Sequence, residues 1–295
     1  MKNLRGIFFM VVAMATFALG DALLKIISLS LPVSQILIIT GFAGGVISLS
    51  IICITKTRLF MPELGNMVFL LRSATDMLSA LFFVWAIATT PLSSVSAVLQ
   101  TAPLMITIGA VIVYRETVGS SHWTAIFVGL IGVMLIVRPM SEAYQPYAWL
   151  AVLATFFVAL RDLLTRAIAD HIPSLTISAY SFFAVGLGGL ILLPFGPKFI
   201  QPSPYIWWLL GGATILGTFA NFMLILATRW GDASIIAPFR YTRLVFSILL
   251  AVLVMDEQPL WETWIGATMI VVSGCYIFFN ERHKTVNRTS EKSKA

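Results

Sequence analysis

Charged residues are scarce in this sequence: they make up 11% of its 295 residues, whereas 59% are hydrophobic. So few charges cannot cover the surface of a soluble globular protein of this size. Cys53 and Cys275, the two cysteines, both fall in apolar stretches and give no disulfide framework. The sequence also lacks a Gly-rich loop ending in Lys-Ser or Lys-Thr, which argues against pumping driven by ATP. The chain is therefore expected to lie in a lipid bilayer.

Long apolar runs are what the sequence has instead, and its mean hydropathy is +0.93. About 20 apolar residues cross the hydrocarbon core as a helix. Ten runs of roughly this length fill nearly the whole chain and predict an all-α integral membrane protein with ten transmembrane helices. They lie at residues 5–27, 33–54, 66–88, 92–113, 121–138, 147–169, 174–194, 205–227, 232–254 and 261–280. The basic segment 281–295 is expected to be an irregular cytoplasmic tail.

The ten runs form a duplicated set. Residues 18–25 read ALGDALLK and return 141 residues later, at 159–166, as ALRDLLTR. This predicts a first repeat at residues 1–138 and a second at 146–280. Because each repeat has five spans, an odd number, the second enters the membrane from the opposite side. Inverted five-helix repeats of this kind are typical of secondary transporters.

The net charge of +6 needs no nucleic-acid partner. If the N-terminus is cytoplasmic, twelve of the nineteen lysines and arginines lie in cytoplasmic segments and three in outer ones. This bias predicts that both termini are cytoplasmic. A cleavable signal peptide over the first 20 residues is a weaker alternative, since the duplicate of this segment lies in mid-chain.

Two acidic residues occupy equivalent positions in the duplicated segment. Asp21 has Lys25 four residues later, and Asp162 has Arg166 at the same spacing. Ion pairs at helix ends are one interpretation of this i,i+4 spacing. The other is that Asp21 and Asp162 gate the two mouths of a transport path or couple it to an ion, with Asp21 near the outer mouth.

Four arginines fall within predicted spans. Arg72 lies one turn before Asp76 in the third span, and Arg240 and Arg243 lie three residues apart in the ninth. Charges at this depth are costly and face protein or water rather than lipid. Arginine suits carboxylate or phosphate groups, so Asp76, Asp162 or a substrate anion is expected to bind Arg240 and Arg243. The alternative is that these charges only pair with one another.

Neutral residues complete the predicted site. Gln100 and Pro103 interrupt the fourth span, Pro238 and Tyr241 the ninth, and proline removes a backbone hydrogen bond inside a helix. Trp85 and Asn221 are further candidates for lining a pocket. The in-span charges, with Arg161 included, leave one positive charge unbalanced, which favours an anionic or zwitterionic ligand. Glycines in the second and seventh spans indicate close helix packing.

Two segments resemble a known family. Tyr114-Arg115-Glu116-Thr117 precedes Trp123 and a Gly-rich helix, and Asp256-Glu257-Gln258-Pro259 precedes Trp264 and another. This paired signature is similar to that of EamA-type carriers of the drug/metabolite transporter superfamily. The resemblance implies a ten-helix inverted-repeat transporter of small organic solutes, many of them exported, in which Glu116 and Glu257 cap helix turns.

We therefore expect a secondary transporter of a small polar metabolite such as an amino acid, vitamin, nucleoside or metallophore. It would work by alternating access in the bacterial inner membrane, as a monomer or homodimer, with export preferred to uptake. No cofactor or metal is expected, although proton coupling is possible. The predicted substrate-binding residues are Arg72, Asp76, Trp85, Gln100, Asn221, Arg240, Tyr241 and Arg243. The rivals are a non-transporting membrane scaffold and an intramembrane enzyme, for which the sequence offers no catalytic grouping.

Overall fold

The computed structural model describes residues 2–115, 119–137, 147–168, 171–230 and 236–292, and every regular element in these ranges is helical. Helix is the expected form of an apolar segment, because its backbone groups bond within the segment and need no water. The α-helices are α1 Lys2–Ser28, α2 Val33–Thr55, α3 Met67–Thr89, α4 Leu92–Leu99, α5 Ala102–Tyr114, α6 Ser120–Val137, α7 Ala148–Thr165, α8 Ser174–Leu192, α9 Pro204–Trp230, α10 Thr242–Met255 and α11 Trp261–Lys292. Short 3-10 helices cover Pro62–Gly65, Leu193–Phe195 and Ala237–Tyr241.

Seven segments of the described chain are long and apolar enough to cross a membrane. They are Leu4–Ser28, Val33–Thr55, Met67–Thr89, Leu92–Tyr114, Ala148–Thr165, Ser174–Phe195 and Pro204–Ala227. A shorter apolar helix covers Trp123–Val137. The multi-pass membrane class is thus confirmed, while the count of ten spans stays a prediction.

The fourth predicted span is two helices rather than one. α4 ends at Leu99 and α5 begins at Ala102, with Gln100 and Thr101 forming the turn between them. The cause is Pro103, which has no N–H for the carbonyl four residues earlier, that of Leu99, and whose ring clashes with it. The predicted interruption at Gln100 is therefore confirmed.

The ninth predicted span is interrupted at the equivalent position. The 3-10 helix Ala237–Tyr241 precedes α10, which begins at Thr242. Tyr241 is the residue that follows Gln100 by the repeat offset of 141. Both repeats therefore contain a helix broken at the same point, and in membrane transporters such breaks mark binding sites near the middle of the bilayer.

The helices of the two repeats interlock in symmetry-related pairs. α1 packs against α9, and α3 packs against α7, while α2 packs against α8 and α6 against α11. The repeat offset maps α1 onto α7 and α3 onto α9, so the first two contacts are copies of each other. The last two contacts map onto themselves and therefore lie on the pseudo-twofold axis.

The directions of the helices agree with inverted repeats. The Lys25 ammonium in the last turn of α1 donates to the Thr90 carbonyl just after α3, so α1 and α3 end on the same side. Arg72 near the start of α3 bonds Thr165 at the end of α7, so α3 and α7 run in opposite directions. α1 and its duplicate α7 are therefore antiparallel.

Glycines allow α2 and α8 to touch backbone to backbone. A Cβ on Gly41 would collide with the backbone nitrogen and Cα of Gly186, and one on Gly189 would lie 2.7 Å from the Ser34 carbonyl oxygen. Gly132 and Gly266 play the same part between α6 and α11. The predicted role of the glycines in packing is confirmed at these positions.

The basic tail differs from its prediction. α11 continues without interruption to Lys292, so the segment after residue 280 is helical up to that point rather than irregular. The physical reason is that no glycine or proline follows Gly274, and the glutamates, lysines and arginines of the segment have good helix propensity.

Replacing Gly41 by alanine should disrupt the contact between α2 and α8. Overpacking of this kind costs about 1–3 kcal/mol, and here the obstacle is backbone that cannot move aside. Gly217→Ala is the matched control, because no atom lies within 4 Å of the added Cβ and alanine favours helix. Thermal unfolding in detergent should show a lower midpoint for Gly41→Ala only; equal midpoints would contradict the packing role.

Candidate functional site

A buried carboxylate in α3 binds two arginines. Asp76 accepts a hydrogen bond from Arg72 Nη1 at 3.2 Å and from Arg161 Nη1 of α7 at 3.1 Å. Arg161 also donates through Nε and Nη2 to Asp162 Oδ1, at 3.0 and 2.9 Å. Arg72 and Asp76 are each only 8% exposed. We call these four residues, which carry no net charge together, the Asp76 network.

Neutral hydroxyls support the Asp76 network. Arg72 Nε donates to the Thr165 hydroxyl at 3.4 Å, and Arg72 Nη1 also donates to the Ser181 hydroxyl of α8. The network thus joins α3 of the first repeat to α7 and α8 of the second. Buried charges of this kind are stable only when they are paired and hydrogen-bonded.

A second ion pair joins α1 to α10. Arg243 donates through Nε and Nη2 to Oδ2 of Asp21, at 3.1 and 2.7 Å. The guanidinium carbon lies 4.9 Å from the Phe17 ring centroid and 5.8 Å from that of Phe83. The side chain of Asp21 is 5% exposed and that of Arg243 is 18% exposed. Arg243 is therefore held by one carboxylate and two aromatic rings, with part of its surface still accessible.

Lys25 does not pair with Asp21. Its ammonium donates to the Ile87 and Thr90 carbonyls, at 2.7 and 2.9 Å, at the end of α3. The interpretation of Asp21 and Lys25 as an ion pair is therefore wrong, and so is the expectation that Asp76 or Asp162 binds Arg243. The terminal carbonyls of α3 have no partners in the helix and attract the lysine, while Arg243 reaches Asp21 from another repeat.

Glu257 caps the start of α4. Its carboxylate accepts hydrogen bonds from the backbone N–H of Leu92 at 2.7 Å, and from the N–H and hydroxyl of Ser93 at 3.1 and 2.8 Å. A negative charge at a helix N-terminus satisfies unpaired N–H groups and the helix dipole. This geometry is the capping role that the family resemblance implies for Glu257. Its counterpart Glu116 lies outside the described residues.

The two helix breaks touch each other. The Gln100 side-chain amide donates to the Arg240 carbonyl at 3.0 Å. Phe239, beside Arg240, packs against Met10, Ala13 and Met14 near the middle of α1, which places the contact at mid-depth. The Arg240 side chain is exposed, and no acidic side chain in the described part of the chain lies within ion-pair distance of it.

The remaining predicted residues lie apart from the charges. Asn221 of α9 donates to the Ser178 hydroxyl at 3.0 Å beside a small cavity between α2, α8 and α9. Trp85 of α3 is 37% exposed. Tyr241 is buried, and its hydroxyl is without a hydrogen-bond partner among the described residues. Proximity to the arginines is therefore not what the structure gives to Trp85 and Asn221.

The predicted site residues divide into two ionic groups on opposite halves of the molecule. Phe83, which contacts Arg243, is eleven residues from Arg72 along α3, or about 16 Å at 1.5 Å per residue. The helix breaks lie between the two groups. The expectation that Arg72, Asp76 and Arg243 form one pocket is therefore not met in this conformation.

Arg161 is the functional candidate that sequence reasoning missed. It was counted among the in-span charges but not placed in the site, although it is the residue that joins Asp76 to Asp162. A signal was available, because its duplicate in the first repeat is Gly20. A charge acquired by only one copy of a repeated helix indicates a role that the repeat itself does not require.

Comparison with known proteins finds one family over both repeats. Residues 4–138 and 145–279 each match the EamA-like transporter family. A riboflavin transporter of Vibrio cholerae is 31% identical over 210 residues, which are 70% of each chain. An S-adenosylmethionine uptake transporter of Rickettsia prowazekii is 23% identical over 280 residues, covering 95% of this chain and 94% of that one.

Two further comparisons extend over most of the chain. The pseudopaline exporter CntI of Pseudomonas aeruginosa is 24% identical over 269 residues, covering 91% of this chain and 94% of that one. A solved crystal structure superposes with a TM-score of 0.63 at 16% sequence identity, covering 95% of this chain and 99% of the other. The superposition supports the fold alone.

Asp76→Asn should destabilise the protein more than Arg72→Gln does. The first change leaves two buried guanidiniums without their shared carboxylate, which costs about 3–5 kcal/mol. The second leaves Asp76 bonded to Arg161, so its cost should stay near that of a lost hydrogen bond, about 1–3 kcal/mol. Thermal unfolding of both variants in detergent measures the difference. A smaller loss for Asp76→Asn would show that the network is not centred on Asp76.

Glu257→Ala should lower the unfolding free energy by about 1–2 kcal/mol, because α4 loses its cap. Glu257→Gln should have a smaller effect, since its amide oxygen can still accept one of the three bonds. Gln258→Ala is the control, as Gln258 is an exposed neighbour on the same loop. Unfolding midpoints measured without any ligand test this; an unchanged midpoint for Glu257→Ala would rule out the capping role.

Proposed function

Because this chain belongs to the EamA-like transporter family, whose members are transporters and not enzymes, we propose that it is a secondary transporter of a small polar metabolite with an anionic or zwitterionic form. It would operate by alternating access in the bacterial cytoplasmic membrane. The relatives named above transport riboflavin, S-adenosylmethionine or pseudopaline. These differ in size and charge but are all small polar molecules, which supports the class and not one substrate.

The contact between the two helix breaks supports this proposal best. Gln100 and Arg240 come from equivalent places in the two repeats and meet at mid-depth. A site on the pseudo-twofold axis keeps its position while the repeats tilt about it. Broken helices also present backbone N–H and C=O groups that an unbroken helix would keep for itself.

Charge balance makes Arg240 the ligand-binding residue in this proposal. The Asp76 network and the pair of Asp21 with Arg243 are each neutral, and Glu257 lies close to Lys25. The positive charge that sequence counting left over is thus placed on Arg240, within the described residues. A guanidinium binds a carboxylate or phosphate through two parallel bonds, and the Gln100 and Tyr241 side chains would add neutral contacts.

The two ionic groups would act as gates. The pair of Asp21 with Arg243 ties α1 to α10, and the Asp76 network ties α3 to α7, each across the two repeats. Each tie must open when its half of the molecule opens. This assigns gating to Asp21 and Asp162, with Arg72, Asp76 and Arg243 as their partners, whereas Trp85 and Asn221 would line the path of the substrate.

The direction of transport is a separate hypothesis. Export is preferred from the sequence resemblance, and the relatives include both an uptake transporter and an exporter. Transport into right-side-out and inverted membrane vesicles distinguishes the two. A monomer and a homodimer are both compatible with one site in each chain.

Arg240→Gln should abolish ligand binding while leaving the protein folded, since Arg240 is exposed and its carbonyl, not its side chain, bonds Gln100. The purified protein is heated with amino acids, nucleosides, vitamins and organic acids, including riboflavin and S-adenosylmethionine. A compound at a hundred times its dissociation constant stabilises the folded state by about 2.7 kcal/mol. The variant should lose this shift but keep the midpoint of the ligand-free protein.

Arg58→Gln is the matched control, because Arg58 is also exposed but lies between α2 and α3 rather than at a helix break. It should respond to ligand as the wild type does. If Arg240→Gln responds as well, the leftover charge is not the binding group. If the wild type responds to nothing and moves none of the panel across vesicles, the scaffold alternative replaces transport.

A further inference from the structure

The ion pair of Asp21 with Arg243 differs from the other intramembrane pairs in having no reserve partner. Asp76 is bonded to two arginines, one on its own helix and one on α7. Asp162 is bonded to Arg161, its neighbour on the same helix, so the two move together. Asp21 depends on an arginine from another helix and another repeat. Any movement or ligand that takes Arg243 away therefore leaves Asp21 alone.

No other charge can replace Arg243 beside Asp21. The elements packed against this part of α1 are α2, α3, α4, α9, α10 and the 3-10 helix Ala237–Tyr241. Their charged or titratable residues, with Lys25 of α1, are Cys53, Arg72, Asp76, Tyr205, Arg229, Arg240, Tyr241 and Arg243. Within the described chain, Arg243 is the one that bonds Asp21, and the Lys25 ammonium is engaged by two carbonyls.

The surroundings of the pair favour an exchange of partners. Both bonds from Arg243 end on one oxygen of Asp21, so the pair lacks the two parallel bonds that a carboxylate and a guanidinium form at best. The Arg243 side chain is 18% exposed, whereas Asp21 is nearly enclosed. A second anion can therefore approach Arg243 while Asp21 stays away from water.

A lone carboxylate at this position cannot remain charged. Asp21 is 4% exposed, and an unpaired ionised group in such surroundings costs so much that it takes up a proton instead. We propose that an anionic group of the transported molecule displaces Asp21 from Arg243 and that Asp21 then takes one proton from water. This deepens the proposed function, on which it rests, by making one proton bind together with each negative charge of the substrate.

The exchange keeps the site electrically neutral. Arg243 stays positive and passes from one anion to another, while the Asp21 carboxylate becomes a neutral acid through one added proton. It also breaks the tie between α1 and α10, so loading of the site and opening of the gate become one event. An inward proton gradient would then drive uptake of an anionic solute.

Infrared spectroscopy of Arg243→Gln in lipid bilayers at neutral pH tests the first step without any ligand. The variant should gain the C=O stretch of one protonated carboxyl group, and Arg243→Gln combined with Asp21→Asn should lose it. Arg72→Gln is the matched control, because Asp76 keeps Arg161 there and should give no new band. Arg243→Met, whose apolar chain can pack between Phe17 and Phe83, replaces Arg243→Gln if the latter does not fold.

Proton uptake by the wild type tests the second step. Benzoate is the probe, since it joins a carboxylate for Arg243 to a ring for Phe17 and Phe83, and benzamide is its neutral counterpart. Benzoate added to weakly buffered protein should cause uptake of one proton per chain, with none for benzamide or for Asp21→Asn. An Arg243 variant without the band, or a wild type without the uptake, overturns the exchange. Binding at Arg240 is measured separately and is unaffected by either result.

Discussion

A charge inside the hydrocarbon core must have a partner, and the arrangement of the two repeats depends on this requirement. Every in-span carboxylate in the described residues is bonded to arginine, and two of the three are bonded across the repeats: Asp21 to Arg243, and Asp76 to Arg161. An unpaired buried charge costs several kcal/mol, far more than one methyl contact. The apolar helices supply adhesion, whereas the ion pairs determine which helices of opposite repeats lie side by side.

The two ends of the molecule obey this requirement in different ways because the duplication is incomplete at the charged positions. The offset of 141 residues carries Asp21 to Asp162, but it carries Ala102 to Arg243 and Gly20 to Arg161. Asp162 therefore has no arginine on α5 to bind and uses its own neighbour. The fold is symmetric in its helix pairs and asymmetric in its electrostatics, which gives two gates of unequal strength.

Much of the fold was predictable from the sequence, since apolar length, glycine contacts and the position of Pro103 are local properties of the chain. The pairing of charges was not. Lys25 at i+4 was the local candidate for Asp21, yet the partner is 222 residues away, and spacing along one helix says nothing about another helix. Capping by Glu257 depends on a contact between repeats too, and only the family resemblance indicated it. The helical tail was mispredicted because polarity was read as disorder.

Unequal gates have a consequence for the empty protein. Opening the end that contains Asp76 separates a carboxylate from an arginine of another helix while a second arginine remains, so part of the charge stays compensated. Opening the end that contains Asp21 separates a carboxylate from its single arginine partner. The cost of the second step falls only when something replaces the lost contact, and a proton on Asp21 with an anion on Arg243 replaces both halves of it. A charge requirement that stabilises the closed fold thus becomes the reason why one gate opens with its substrate, while the other can open by rearrangement of the protein alone.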